Sequence, residues 1–144
     1  MTRERRRSAL AGVPRRGPAL SRAEAIQAKA AVVGFDFPSF RDAWAKVEEE
    51  IAEIDRLLAR RRAIEDLEGE IGDLLFAITN GARLLGIDPE RALQGTNEKF
   101  IARFRHVETR LAEDGRSPAD SSLAEMDRLW DEAKRWERRC RRSS

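Results

Sequence analysis

At 144 residues the chain is long enough for one domain with an ordinary core, and its 38% charged residues, 6% aromatics and lack of Tyr suit a helical protein. The net charge of +2 conceals an acidic body, because residues 1–17 and 134–144 each carry +5 and leave −8 on residues 18–133. That distribution argues against a specific nucleic-acid-binding face, the single Cys140 excludes an intramolecular disulfide, and no apolar run reaches the length needed to span a membrane.

Residues 1–20 carry Gly12, Pro14, Gly17 and Pro18 and read as a flexible basic lead-in. They lack the apolar segment of a signal peptide, so a cytoplasmic protein is expected. Ser21 with Glu24 has capping-box spacing and predicts a helix to about Val33, broken by Gly34-Phe-Asp-Phe-Pro38. Ser39 is placed to cap a second helix to about Arg61, with Phe40, Trp44, Val47, Ile51, Ile54 and Leu58 on one face. A third helix is predicted from about Ile64 to Leu85. Its inward stripe is Leu67, Ile71, Leu74, Leu75, Ile78, Ala82 and Leu85, and Gly86 ends it.

Asp88-Pro89 supplies the N-cap and first residue of a fourth helix, striped by Ala92, Leu93, Phe100, Phe104, Val107 and Leu111. Asp114 to Pro118 is a turn. Ser122 with Glu125 forms a second capping box that opens a last helix through Met126, Leu129, Trp130 and Ala133. Strand-like alternation is absent. The expected fold is all-α, an antiparallel helical bundle over residues 21–138 with 139–144 as a basic tail.

The third helix holds Gly69, Gly72 and Gly81 in its interior, each costing about 1 kcal/mol relative to Ala. Close approach of a ligand or of another backbone would explain such residues. Gly72, between Glu70 and Asp73, fits the first reason best, and tight helix packing is the alternative.

Two acidic clusters stand out. Residues three apart share a helix face, so Glu50/Glu53 and Glu70/Asp73 each present two carboxylates together. Four carboxylates brought close without a cation would repel strongly, and a hard cation such as Mg²⁺ takes oxygen ligands. A solvated acidic face remains the competing reading. A cationic set follows on later helices. Lys99 and Arg103 lie four apart, as do Trp130 and Lys134, and such pairs suit a nucleotide's phosphates and base. A core Trp with a surface Lys is the plainer alternative. His106 reads as surface or helix-dipole decoration.

Glu49-Glu50-x-x-Glu53, sixteen residues, then Glu70-x-x-Asp73 resembles the EExxE…ExxD signature of the all-α nucleoside triphosphate pyrophosphohydrolases. Leu10-Ala-Gly-Val-Pro14, Ile26-Gln-Ala-Lys-Ala-Ala31, Val33-Gly-Phe-Asp-Phe-Pro38, Gly72-Asp-Leu-Leu-Phe-Ala77, Leu85-Gly-Ile-Asp-Pro-Glu90, Asn97-x-Lys-Phe100 and Trp130-x-x-x-Lys134 resemble the MazG family, above all its C-terminal catalytic domain. The resemblance implies an all-α bundle completed by dimerisation. It also implies hydrolysis of NTPs or dNTPs to the monophosphate and pyrophosphate, in cleaning of the nucleotide pool.

By the same resemblance, Glu50, Glu53, Glu70 and Asp73 would ligate Mg²⁺, with Mn²⁺ as a substitute, and Glu49 would orient or deprotonate the attacking water. Lys99 and Arg103 would neutralise phosphate charge, while Asn97, Trp130 and Lys134 would help hold the nucleotide. Gly69 departs from a pattern that often has an acidic residue there, and Gly81 stands where a larger apolar residue is usual. Many members carry two tandem copies; here there is one, and its Leu10-to-Pro14 start looks like the linker before a second copy. The competing functions are a noncatalytic nucleotide-binding or interaction module of the same fold and a basic-tailed RNA-binding helical protein.

Overall fold

Each helix end follows from a local signal, and the computed structural model, which describes residues 8–142, contains helices and no strand among them. The order is α1 (Ala19–Val32), α2 (Phe40–Ala59), α3 (Ile64–Leu84), α4 (Pro89–Ala112), a 3-10 turn (Pro118–Asp120) and α5 (Leu123–Arg142). The described residues form two compact units that divide between Ala92 and Leu93. The first holds α1, α2 and α3; the second holds α5 and nearly all of α4.

Ser39 caps α2 as expected, its hydroxyl accepting from the Asp42 amide at 3.2 Å. The expected box at Ser21 and Glu24 does not form. α1 starts at Ala19 directly after Pro18, which leaves Ser21 inside the first turn. At the C-terminus of α1, Phe35 N–H bonds Ala30 O at 3.0 Å and Gly34 N–H bonds Ala31 O at 2.9 Å. This closure needs a left-handed residue, and Gly34 supplies it with φ +86.

α2 closes the same way without glycine. Arg62 N–H reaches Leu57 O and Arg61 N–H reaches Leu58 O, both at 3.2 Å, with Arg61 at φ 50. A side chain in that region costs roughly 1–2 kcal/mol. Arg61→Gly is therefore expected to raise the thermal midpoint by about 1–3 °C, read by calorimetry. An unchanged or lower midpoint contradicts the assignment.

Residues 8–18 belong with the first helix, which departs from the flexible lead-in expected for 1–20. The Lys29 ammonium donates to Ala11 O at 2.6 Å and the Arg22 Nε to Pro14 O at 2.8 Å. Residues 1–7 of that segment lie outside the described residues.

The buried stripe of α2 is Ala43, Val47 and Glu50; that of α3 is Ala77, Thr79, Asn80 and Gly81. α3 packs along α2 and α1 through small residues. A Cβ built on Gly81 would meet Trp44 at 3.2 Å and Phe40 at 3.4 Å, so this glycine is the one that admits close packing. Gly69 and Gly72 face open space, so tight helix packing does not account for either. The stripe expected to face inward is also displaced. Ile71, Leu75, Ile78 and Leu85 are exposed, while Ala77, Thr79, Asn80 and Gly81 take the buried positions of α3.

In the second unit Val107, Leu111 and Ala133 are buried between α4 and α5. Phe100 stays exposed, although its ring lies 4.9 Å from that of Trp130. α5 runs on to Arg142, so residues 139–142, expected as a tail, continue the helix. Arg is a good helix former, and cations suit a helix C-terminus.

The expected box at the start of α5 forms by half. Ser122 Oγ accepts from the Glu125 amide at 3.2 Å, but the Glu125 carboxylate turns to Arg116, with two bonds of 2.8 Å, and to the Ser121 hydroxyl at 2.8 Å. Arg116, then Ser121, hold the Glu125 carboxyl down at about 2, below its ordinary 4.5. A depressed folded pKa stabilises above the unfolded value, and the contribution is lost as pH falls from about 4.5 toward 2. Glu125→Gln is expected to lower the urea midpoint at pH 7 and to match the wild type near pH 2. Equal midpoints at pH 7 would rule this out.

Candidate functional site

Glu50 follows Val47 by three and Ala43 by seven, so the helical repeat carries a carboxylate onto the buried stripe of α2. It is 5% exposed. On α3, Glu70 and Asp73 precede Ala77 by seven and four, on the stripe that meets α2. The antiparallel pairing of these helices brings the three side chains together: one oxygen from each of Glu50, Glu70 and Asp73 lies within 4.8 Å of the others.

Within this cluster Glu70 resists ionisation. Loss of solvation raises the Glu70 pKa first, followed by a hydrogen bond shared with Glu50 and the fields of Glu50, Asp73 and Glu53. Three hard oxygen donors drawn from three carboxylates, with Lys46 paired to Glu50, fit a divalent cation with oxygen preference.

Glu53 stands one turn beyond Glu50, off the buried stripe. It acts on Glu70 through its charge and pairs with Arg56 at 2.7 Å, outside the three-oxygen cluster. Glu49 is an exposed neighbour. Lys46 joins the two halves of Glu49-Glu50, its ammonium 2.9 Å from Glu49 and 2.6 Å from Glu50. Those bonds, to Glu50 foremost, hold Lys46 firmly protonated. The four-residue spacing of Lys46 and Glu50 was the available signal for this contact.

The cationic set lies in the second unit. Asn97 and Lys99 are exposed on α4. Arg103 sits with its guanidinium carbon 5.7 Å from the Trp130 ring centre and grips Glu137 through bonds of 3.1 and 2.8 Å. The Glu137 bond chiefly raises the Arg103 pKa, and Arg103 in turn lowers that of Glu137. A guanidinium has five N–H donors, so three remain for another acceptor. Lys134 pairs with Asp131 at 3.1 Å. His106 meets Glu132 at 3.1 Å, and Arg110 reaches the same carboxylate at 3.2 Å. Thus Lys99, Arg103 and Trp130 share one locality, while Glu132 and Glu137 are partners that only packing reveals.

No helix among the described residues is long and apolar enough to cross a membrane. Residues 39–108 match the family model of the MazG nucleotide pyrophosphohydrolase domain. The chain is 46% identical over 133 residues to the nucleoside triphosphate pyrophosphohydrolase of Escherichia coli (strain K12), covering 90% of this chain and 50% of that protein. It is 39% identical over 117 residues to the nucleoside triphosphate pyrophosphohydrolase/pyrophosphatase MazG of Thermotoga maritima, covering 81% of this chain and 44% of that one. It therefore spans about half the length of these curated relatives. The helices that bear the carboxylate cluster lie inside the matched segment, and over residues 39–108 the chain carries a domain of the MazG nucleotide pyrophosphohydrolase family.

Proposed function

We propose that this chain hydrolyses nucleoside triphosphates, ribo- or deoxy-, to the monophosphate and pyrophosphate, in Mg²⁺-dependent cleaning of the cytoplasmic nucleotide pool. The convergence of Glu50, Glu70 and Asp73 carries this reading, and the similarity to nucleoside triphosphate pyrophosphohydrolases supports it. Glu50, Glu53, Glu70 and Asp73 are the residues that would hold Mg²⁺ or Mn²⁺. When bound, such an ion supplies positive charge against the triphosphate oxygens.

Glu49 orients the attacking water and accepts its proton, with Lys46 fixing its carboxylate at 2.9 Å. Lys99 and Arg103 neutralise charge on the phosphates, and Asn97, Trp130 and Lys134 hold the nucleotide. Exposed Ile71, Leu75 and Ile78 recur at helical spacing and form an apolar row of the kind that a second copy covers. We accordingly assign a homodimer, to be checked by sedimentation of the wild type against Leu75→Asp.

The direct test incubates the protein with ATP, GTP, CTP, UTP and the four dNTPs in Mg²⁺ and quantifies both products. Equal yields of monophosphate and pyrophosphate are expected. Nucleotide binding without cleavage would assign the noncatalytic module instead, and release of orthophosphate with a diphosphate would abolish the reaction class.

A further inference from the structure

α3 carries more than carboxylates. Phe76, Asn80 and Arg83 follow Asp73 at three, seven and ten residues, on a continuing face of the helix. Together with Gln27 of α1 and the loop residues Phe35 and Asp36, they line a cavity of about 460 Å³ within the first unit. At 1.5 Å per residue, Phe76 and Asn80 lie about 4.5 and 10 Å along the axis from Asp73, within the reach of one extended nucleotide.

The cavity's walls are mostly apolar, and its charges cancel. Arg83 pairs with Asp36 and also donates to Asn80 Oδ1 at 2.9 Å, so the wall has little to offer a phosphate. One polar group is left over. Gln27 is 5% exposed, and its Nε2 donates to Phe76 O at 2.8 Å, which sets the amide orientation. Its Oε1 is then a buried acceptor without a partner among the described residues. Leaving such an atom unsatisfied costs roughly 1–3 kcal/mol, and a bound N–H would recover it. Beside it, the Gly34 turn at φ +86 holds Phe35 with 82% of its surface in solvent. An apolar slot, a lone buried acceptor and an unpacked aromatic ring match a planar heteroaromatic ring with an N–H edge.

We propose that this cavity is the pocket for the substrate's nucleobase, with Gln27 Oε1 accepting an N–H from the base edge and Phe35 covering its face. The proposal rests on the nucleotide reading above and adds base recognition by residues outside the acidic and cationic sets. Trp130, which packs against Phe100 and Arg103, then holds the nucleotide elsewhere than at the base edge.

The test uses the full chain with Gln27→Leu and Phe35→Ala. Each is compared with wild type for the KM of the four NTPs and for the inhibition constant of inorganic tripolyphosphate, which has the phosphates without a base. Gln27→Leu is expected to raise the NTP KM about tenfold, or about 1.4 kcal/mol, and to leave tripolyphosphate inhibition unchanged. Unchanged NTP KM in both variants overturns the proposal. So does weakening of tripolyphosphate in step with the NTPs, or an altered sedimentation coefficient in Phe35→Ala with no change in KM.

A second readout needs neither hydrolysis nor metal. Nucleosides titrated into ¹⁵N-labelled wild-type protein are expected to shift the Gln27 side-chain amide resonances, and absence of a shift overturns the pocket. A wild type that releases no pyrophosphate refutes the pyrophosphohydrolase reading separately, because this titration still decides the pocket.

Discussion

Asp73→Asn is expected to cut pyrophosphate release from ATP about a thousandfold, matching the several kcal/mol that a bound metal contributes to a phosphoryl transition state. The variant keeps the shape of the side chain and removes one of the three oxygens' charges. It should not harm the fold. Asp73 is exposed and is one of the charges that raise the Glu70 pKa. A raised carboxyl pKa opposes folding above that pKa, so removing a neighbouring charge leaves the metal-free protein as stable as wild type or more so at pH 7.

The two states therefore separate in one melting experiment. With Mg²⁺ at a hundred times its dissociation constant, the wild type gains about 2.7 kcal/mol, and the variant gains far less. Equal pyrophosphate release by variant and wild type would remove Asp73 from the site. Equal Mg²⁺ stabilisation would remove it from the metal set.

Leu111→Ala carries the largest expected cost in stability. Leu111 is 1% exposed, the largest fully buried side chain, and truncating such a residue costs about 3 kcal/mol through lost burial and the cavity left behind. Leu75, 51% exposed on α3, is the control. In dilute monomer Leu75→Ala should stay within about 0.5 kcal/mol of wild type. If a second copy covers that row, the cost at Leu75 grows with protein concentration while that at Leu111 does not. Chemical denaturation at two protein concentrations measures both. Comparable costs at the two positions in dilute solution would contradict the observed burial.

Much of this was legible in the chain before folding. Ser39, Gly34, Gly86 and Asp88-Pro89 mark helix ends by local hydrogen bonding and backbone freedom; α2 and α3 begin and end within a residue or two of their predicted limits, and α4 begins at Pro89 as predicted. The pairs Glu50/Glu53 and Glu70/Asp73 could be read from spacing, and the ordered motifs that follow them identified the family.

Less legible were the partners reached across space. Glu137 for Arg103 lies 34 residues away, and the Gln27 contact with Phe76 O spans 49. Ser21 and Glu24 carried a valid capping pattern that Pro18 overrode by starting α1 earlier. Exposed Ile71 and Leu75 had the right period for a core stripe, yet period alone does not say which neighbour a stripe meets.

By itself the sequence determined an all-α protein, the helix limits and which carboxylates share a turn, because spacing and capping act within a few residues. Only the tertiary structure decided that Glu50 rather than Glu53 joins Glu70 and Asp73 in the close cluster. It also decided that Gly81 rather than Gly72 receives an aromatic ring, and that Gln27 is left with a buried, unanswered acceptor. Those outcomes depend on how α1, α2 and α3 are rotated about their axes, which is set by contacts between segments far apart in the chain.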